Sequence, residues 1–152
     1  MSPLLAGLLL TLCPAGAADL TLGGGGAWLE TISSADLESG PGSDLVDSRT
    51  SLADQASLDV WNTGGATWQV VVSRTDAHWP TGARLWARRT SAGTGCDPVS
   101  GGEAFQEVFA LDQVLFSGTD DCLGITVQLR LTGLSLDIAP DAYLTAVAYR
   151  VE

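Results

Sequence analysis

From Ile125 to Thr132 the chain alternates strictly between apolar and polar residues. Ile125, Val127, Leu129 and Leu131 fall on one face, and Thr126, Gln128, Arg130 and Thr132 on the other. Only an extended backbone has a period of two; a helix would scatter these apolar residues around its circumference. The pattern predicts a strand with one buried and one solvated face, the habit of antiparallel sheets. Gly133 ends it. A second alternating stretch closes the chain. Tyr143, Thr145, Val147, Tyr149 and Val151 share one face, and Leu144, Ala146, Ala148 and Arg150 the other. With small apolar residues on its second face, this strand is expected to lie centrally or to be covered on both sides.

Shorter segments repeat the theme. Residues 68–73 and 83–88 read as strands separated by a Thr/Asp/His/Pro/Gly connection. Residues 56–60 form another, ended by the turn Asn62-Thr63-Gly64-Gly65. Further candidates are 19–22, 28–32, 105–111 and 114–116. About eight short strands, with turn residues between them, predict an all-β fold: a single antiparallel β-sandwich, Ig-like or jelly-roll-like. Two stretches fall outside the pattern. Residues 33–49 are acidic and rich in Ser and Gly, and read as a long surface loop. Residues 91–102 read as a Gly/Ser/Pro loop that carries Cys96.

The amino-terminal residues 1–17 have the features of a secretory signal peptide. Their apolar run, residues 4–12, is too short to cross a hydrocarbon core of roughly 30 Å. Ala15-Gly16-Ala17 supplies an A-x-A cleavage pattern before Ala18. No Lys or Arg precedes the run. Acylation of Cys13, as in a lipoprotein, would require a small residue before it, and Leu12 stands there. The expected organisation is a signal at 1–17 and one sandwich domain over 18–152, with no transmembrane segment in the mature chain. Cleavage would remove Cys13 and leave Cys96 and Cys122. In an oxidising compartment this pair is expected to form a disulfide, contributing about 3 kcal/mol by restricting the unfolded chain. If the chain is not exported, two free thiols are the alternative.

Charge narrows the partners. The chain carries 18 acidic and 7 basic side chains, a net charge of −11, and every basic residue is Arg. Such a surface repels phosphate backbones and anionic lipid headgroups, so no nucleic-acid partner is expected. Catalytic patterns are sparse. The only histidine, His78, falls in an expected inter-strand connection, and no G-x-S-x-G accompanies it. One histidine and an oxidised cysteine pair cannot make a zinc site of three or four N/S ligands. Two acidic clusters could attract calcium: Asp36, Glu38, Asp44 and Asp47, and Asp120 with Asp121. Neither follows the spacing of an EF-hand loop. No cofactor motif is present. Of the five tryptophans, Trp68 is in phase with Val70 and Val72 and is expected in the core. Trp86 shares a face with Arg84 and Arg88, where it could make cation–π contacts or meet a partner. Trp79, beside Pro80, is the other candidate for exposure and ligand binding.

The closing segment, Leu136-Asp137-Ile138-Ala139-Pro140-Asp141-Ala142-Tyr143 followed by Thr145-Ala146-Val147-Ala148-Tyr149-Arg150-Val151, resembles the last strand of bacterial fimbrial and spore-coat-U-type subunits. The resemblance covers only this carboxy-terminal stretch. It implies an exported Ig-like sandwich in which a donated amino-terminal strand completes the next subunit by β-augmentation. Ala18-Asp19-Leu20-Thr21-Leu22-Gly23, with alternating Leu20 and Leu22, would suit a short donor. The cysteine pair lies in the second half of the chain, whereas fimbrial subunits carry theirs near the amino-terminal strands.

The expected function is a non-enzymatic exported structural or adhesive component of a bacterial cell surface, envelope or appendage. Its partners would be other copies of itself or envelope proteins, joined by strand addition. A secreted binding module for glycan, through Trp79 and Trp86, or for calcium, through the acidic loops, is the alternative. A secreted carboxylate-dependent hydrolase is the third reading; the sequence cannot place two of its carboxylates at a working distance.

Overall fold

The computed structural model describes residues 18–24 and 27–152. The expected signal at 1–17, with Cys13, and two glycines of the Gly23–Gly26 run lie outside the described residues. The chain forms ten strands: β1 Asp19–Gly23, β2 Arg49–Thr50, β3 Ala56–Trp61, β4 Thr67–His78, β5 Arg84–Arg89, β6 Asp97–Ser100, β7 Gln106–Glu107, β8 Gln113–Thr119, β9 Cys122–Thr132 and β10 Leu144–Val151. A 3-10 turn at Ser34–Asp36 is the sole helical element among the described residues. None of their helices is long and apolar enough to cross a membrane.

The strands build two antiparallel sheets. One follows the order β1-β3-β9-β5-β7, with β2 also paired to β9; the other runs β10-β4-β8-β6. From β3 onward each successive strand changes sheet, so every connection crosses the sandwich. The turn after β3 makes such a crossing in five residues. Asn62, Gly64 and Gly65 hold φ of 60°, 60° and 82°, a left-handed run that glycine adopts without steric cost. The inward faces meet in one core: Leu58 and Val60 from β3, Ile125 and Val127 from β9, Trp68, Val70 and Val72 from β4, and Leu115 and Phe116 from β8. Trp68 and the apolar alternates of β9 thus occupy their expected places.

Four expectations change. The closing strand is not central. β10 pairs only with β4 and forms a sheet border, and its second face, Leu144, Ala146 and Ala148, is exposed. Small apolar residues there reflect an uncovered surface rather than a second layer. Residues 91–102 contain a strand, β6, paired with β8 despite Pro98. Residues 28–32 form no strand, and of 105–111 only β7 pairs.

Candidate functional site

On the outer face of the larger sheet, β5 and β9 set their polar alternates side by side. Arg84 stands opposite Thr132, Trp86 opposite Arg130, and Arg88 opposite Gln128. Directly opposed residues share a face, with Cβ atoms about 5 Å apart. Phe105, just before β7, completes this row. The guanidinium carbon of Arg130 lies 3.9 Å from its ring centroid, and that of Arg88 4.6 Å. Arg88 Nε donates to Gln128 Oε1 at 2.9 Å, and Gln128 Nε2 donates to the Ser51 carbonyl at 2.9 Å. Trp86 stays half-buried, its Nε1 donating to Thr132 Oγ1 at 2.8 Å. Trp86 is on the outer face as expected, yet the arginines stack on Phe105. Phe105 is remote in sequence from both arginines, and only the strand register brings it to them.

These two arginines differ from the other five. Arg49 pairs with Asp36, Arg74 with Asp76 at 3.6 Å, Arg84 with Glu107 at 3.5 Å, Arg89 with Glu103 at 3.0 Å, and Arg150 with Asp112. All 18 acidic residues are among the described residues, and none pairs with Arg88 or Arg130. Arg130 Nε is buried without an acceptor.

Trp79 is placed elsewhere. It lies in the β4–β5 connection, donates from Nε1 to the Ala83 carbonyl at 2.9 Å, and carries the Arg74 guanidinium 5.0 Å above its ring. One ring face is therefore covered, and Trp79 and Trp86, turned to different neighbours, form no paired platform. His78 stacks on Tyr143, with centroids 4.9 Å apart at 11°, and its Nε2 lies 3.1 Å from Asp141 Oδ2. Its one hydrogen-bond partner among the described residues is that carboxylate, so no serine hydroxyl is poised on it.

The acidic loop does not gather its carboxylates. Asp36 caps the 3-10 turn through Ser33 and pairs with Arg49. The Ser33 N–H holds its carboxyl below the usual carboxylate range, with help from the Ser33 hydroxyl and Arg49. Asp44 Oδ1 accepts from the N–H groups of Leu45 and Leu136, at 2.8 and 3.0 Å, and Asp47 Oδ1 from that of Gly133 at 3.0 Å. Glu38 meets Asp44 through the backbone, its N–H on the Asp44 carbonyl. Asp44 and Asp47 fasten the loop to the segment after β9 and Asp36 ties it to Arg49, so the six to eight converging oxygens that calcium takes are not presented. Among the described residues no three His, Cys, Asp or Glu side chains cluster as metal ligands would. In the second pair, Asp121 Oδ1 accepts from the Thr63 N–H at 2.9 Å and hydroxyl at 2.8 Å, which lower its pKa. Asp141 is held down by the Ala142 N–H and by His78. A general acid needs the opposite shift.

Cys96 and Cys122 are joined as expected. Cys96 immediately precedes β6 in the smaller sheet, and the buried Cys122 opens β9 in the larger one. The bond therefore ties sheet to sheet, not a loose loop to a sheet.

No protein-family profile, no characterised protein and no solved structure matches this chain.

Proposed function

We propose that the chain is a non-enzymatic, exported structural or adhesive component of a bacterial cell surface, envelope or appendage. It joins copies of itself or envelope proteins by strand addition along β10. The observation that carries this reading is the position of β10, eight residues long and hydrogen-bonded to β4 on one border only. From Thr145 to Val151 its register with β4 runs without a shift, so the free border is regular as well as long. Such a border is a template for another strand, and proteins that avoid assembly blunt it with charge, bulges or covering segments. The amino-terminal segment is not spare in this arrangement. All five residues of β1 pair with β3, and Leu20 packs against the core. An acceptor border at β10, rather than a detached β1, therefore supports the reading. A disulfide between the sheets suits an oxidising compartment outside the cytoplasm.

Light scattering from micromolar to millimolar protein tests it. The mass should rise with concentration, and an Ala146→Lys/Ala148→Lys variant should stay monomeric with an unchanged circular dichroism spectrum, because both positions are exposed. A monomer at every concentration that also fails to bind a peptide of residues 18–23 or 144–151 would sink the proposal.

A further inference from the structure

Carboxylates outnumber guanidiniums by 18 to 7 in this chain, yet two guanidiniums are left without one. Arg88 and Arg130 converge on the Phe105 ring, where like charges repel and only the ring's quadrupole offsets the repulsion. The protein gives Arg88 one side-chain acceptor, Gln128, and gives Arg130 none; Arg130 Nε is buried and unpaired. The planar N–H fork of a guanidinium matches a carboxylate in bidentate fashion. Two forks fixed on one phenyl ring are thus prepared for an anionic group from outside. The net charge of −11 opposes anions at long range, but screening over about 10 Å at 0.1 M salt leaves the local pair in control.

We propose that this face binds a carboxylated sugar, a uronic acid unit of an acidic polysaccharide. Arg88 and Arg130 receive the carboxylate and Trp86 lies against the sugar ring. A sheet face offers side chains only, whereas a peptide strand draws its affinity from main-chain hydrogen bonds at an edge. Trp86 stands directly opposite Arg130 and keeps part of its indole exposed, an apolar surface with a polar rim. Thr50 flanks Arg130 on the other border and offers a hydroxyl to the sugar's own hydroxyls. Glu107, opposite Trp86, is neutralised by Arg84 and does not repel the ligand. The site is on the sheet that does not contain β10, so it stands or falls apart from strand addition.

The test titrates the disulfide-bonded protein with trigalacturonate, its methyl ester and hexaglutamate, followed by tryptophan fluorescence and calorimetry. Trigalacturonate should bind at least about tenfold more tightly than the ester, and added salt should weaken it. Arg88→Gln and Arg130→Gln should each lose about tenfold with an unchanged circular dichroism spectrum, while Ala146→Lys/Ala148→Lys binds like the parent. Equal binding of acid and ester, no binding of either, or tighter binding of hexaglutamate would overturn the assignment. The acid–ester comparison needs no variant, so a misfolded Arg130→Gln would leave the test intact.

Discussion

The two ends of β4 are held in different ways. At its first end Trp68, 2 % exposed, donates from Nε1 to the Asp120 carbonyl at 2.7 Å and meets Phe116 edge-on. Thr63 is buried beside it with Asp121 as acceptor, and Cys96–Cys122 ties the two sheets. Buried polar groups there find partners, and a covalent bond closes the end. At the other end the same inward row of alternates reaches Arg74, whose Nε and Nη1 are buried without an acceptor. The hydroxyl of Tyr149, diagonal to it across β10, is buried and unpaired as well. Stacking holds this end, Arg74 on Trp79 and His78 on Tyr143, together with solvent-facing polar contacts of Arg74 and Thr145 with Asp76 and of His78 with Asp141. Buried hydrogen bonds and a disulfide fix positions, whereas stacked rings and exposed polar pairs tolerate sliding, so the first end should carry the stability and the second the plasticity.

Breaking the first end should cost most. Replacing Cys96 and Cys122 together by Ala should lower the unfolding free energy in urea by about 3 kcal/mol. A loss under about 1 kcal/mol would mean that the inter-sheet bond is not what closes this end. Gly118→Ala comes next. A Cβ at Gly118 would lie 2.4 Å from the Trp68 ring, so the indole must leave its seat under Asp120. About 2 kcal/mol is expected, with a change in the near-ultraviolet signal of Trp68. A changed spectrum with a loss near zero would show that the ring moves at no cost and that the first end is as pliant as the second.

The faces of the strands were legible in the sequence, and their neighbours were not. Alternation places Ile125, Val127 and Trp68 inward because side chains point to opposite faces whatever lies alongside. It says nothing about which borders are paired. That is why β9 and β10, equally regular in sequence, differ: β9 is paired along both borders and β10 along one. The cysteine pair was readable from compartment and count, but its role as a tie between sheets depends on β6, a strand hidden by Pro98 and glycines. The candidate site was half readable. Trp86 in phase with Arg84 and Arg88 marked the outer face, whereas Phe105 and Arg130 join it only through register. In the acidic cluster closeness along the chain does not make carboxylates converge; Asp44 and Asp47 are spent on nearby N–H groups and Asp36 on Ser33 and Arg49.

Tyr149→Phe probes the second end. Burial drives the phenol pKa well above its ordinary value, and the hydroxyl has no acceptor, so the folded state bears its desolvation without return. Removing the oxygen should stabilise the protein by about 1 kcal/mol in urea. Destabilisation by a similar amount would show that the hydroxyl has a partner in solution and that this end is better satisfied than its geometry indicates.

Acid should separate the ends by the smallest margin. Asp121 accepts from the N–H and hydroxyl of the buried Thr63, whereas Asp141 accepts from exposed Ala142 and His78. Both carboxyl groups titrate below their ordinary 3.8, so each favours folding at pH values above 3.8. That contribution fades as pH falls through the lowered value, because protonation is then resisted more in the folded chain than in the unfolded one. Thr63 is ordered only in the fold, but Ala142 adjoins Asp141 in any state and His78 is exposed. Asp121→Asn should therefore flatten the fall of Tm between about pH 5 and 2 more than Asp141→Asn does. At neutral pH Asp141→Asn should shift the Tm little, as expected for a solvent-exposed pair. Equal acid slopes in the two variants would mean that both carboxylates are coupled to folding alike, and the contrast between the two ends of β4 would not extend to their electrostatics.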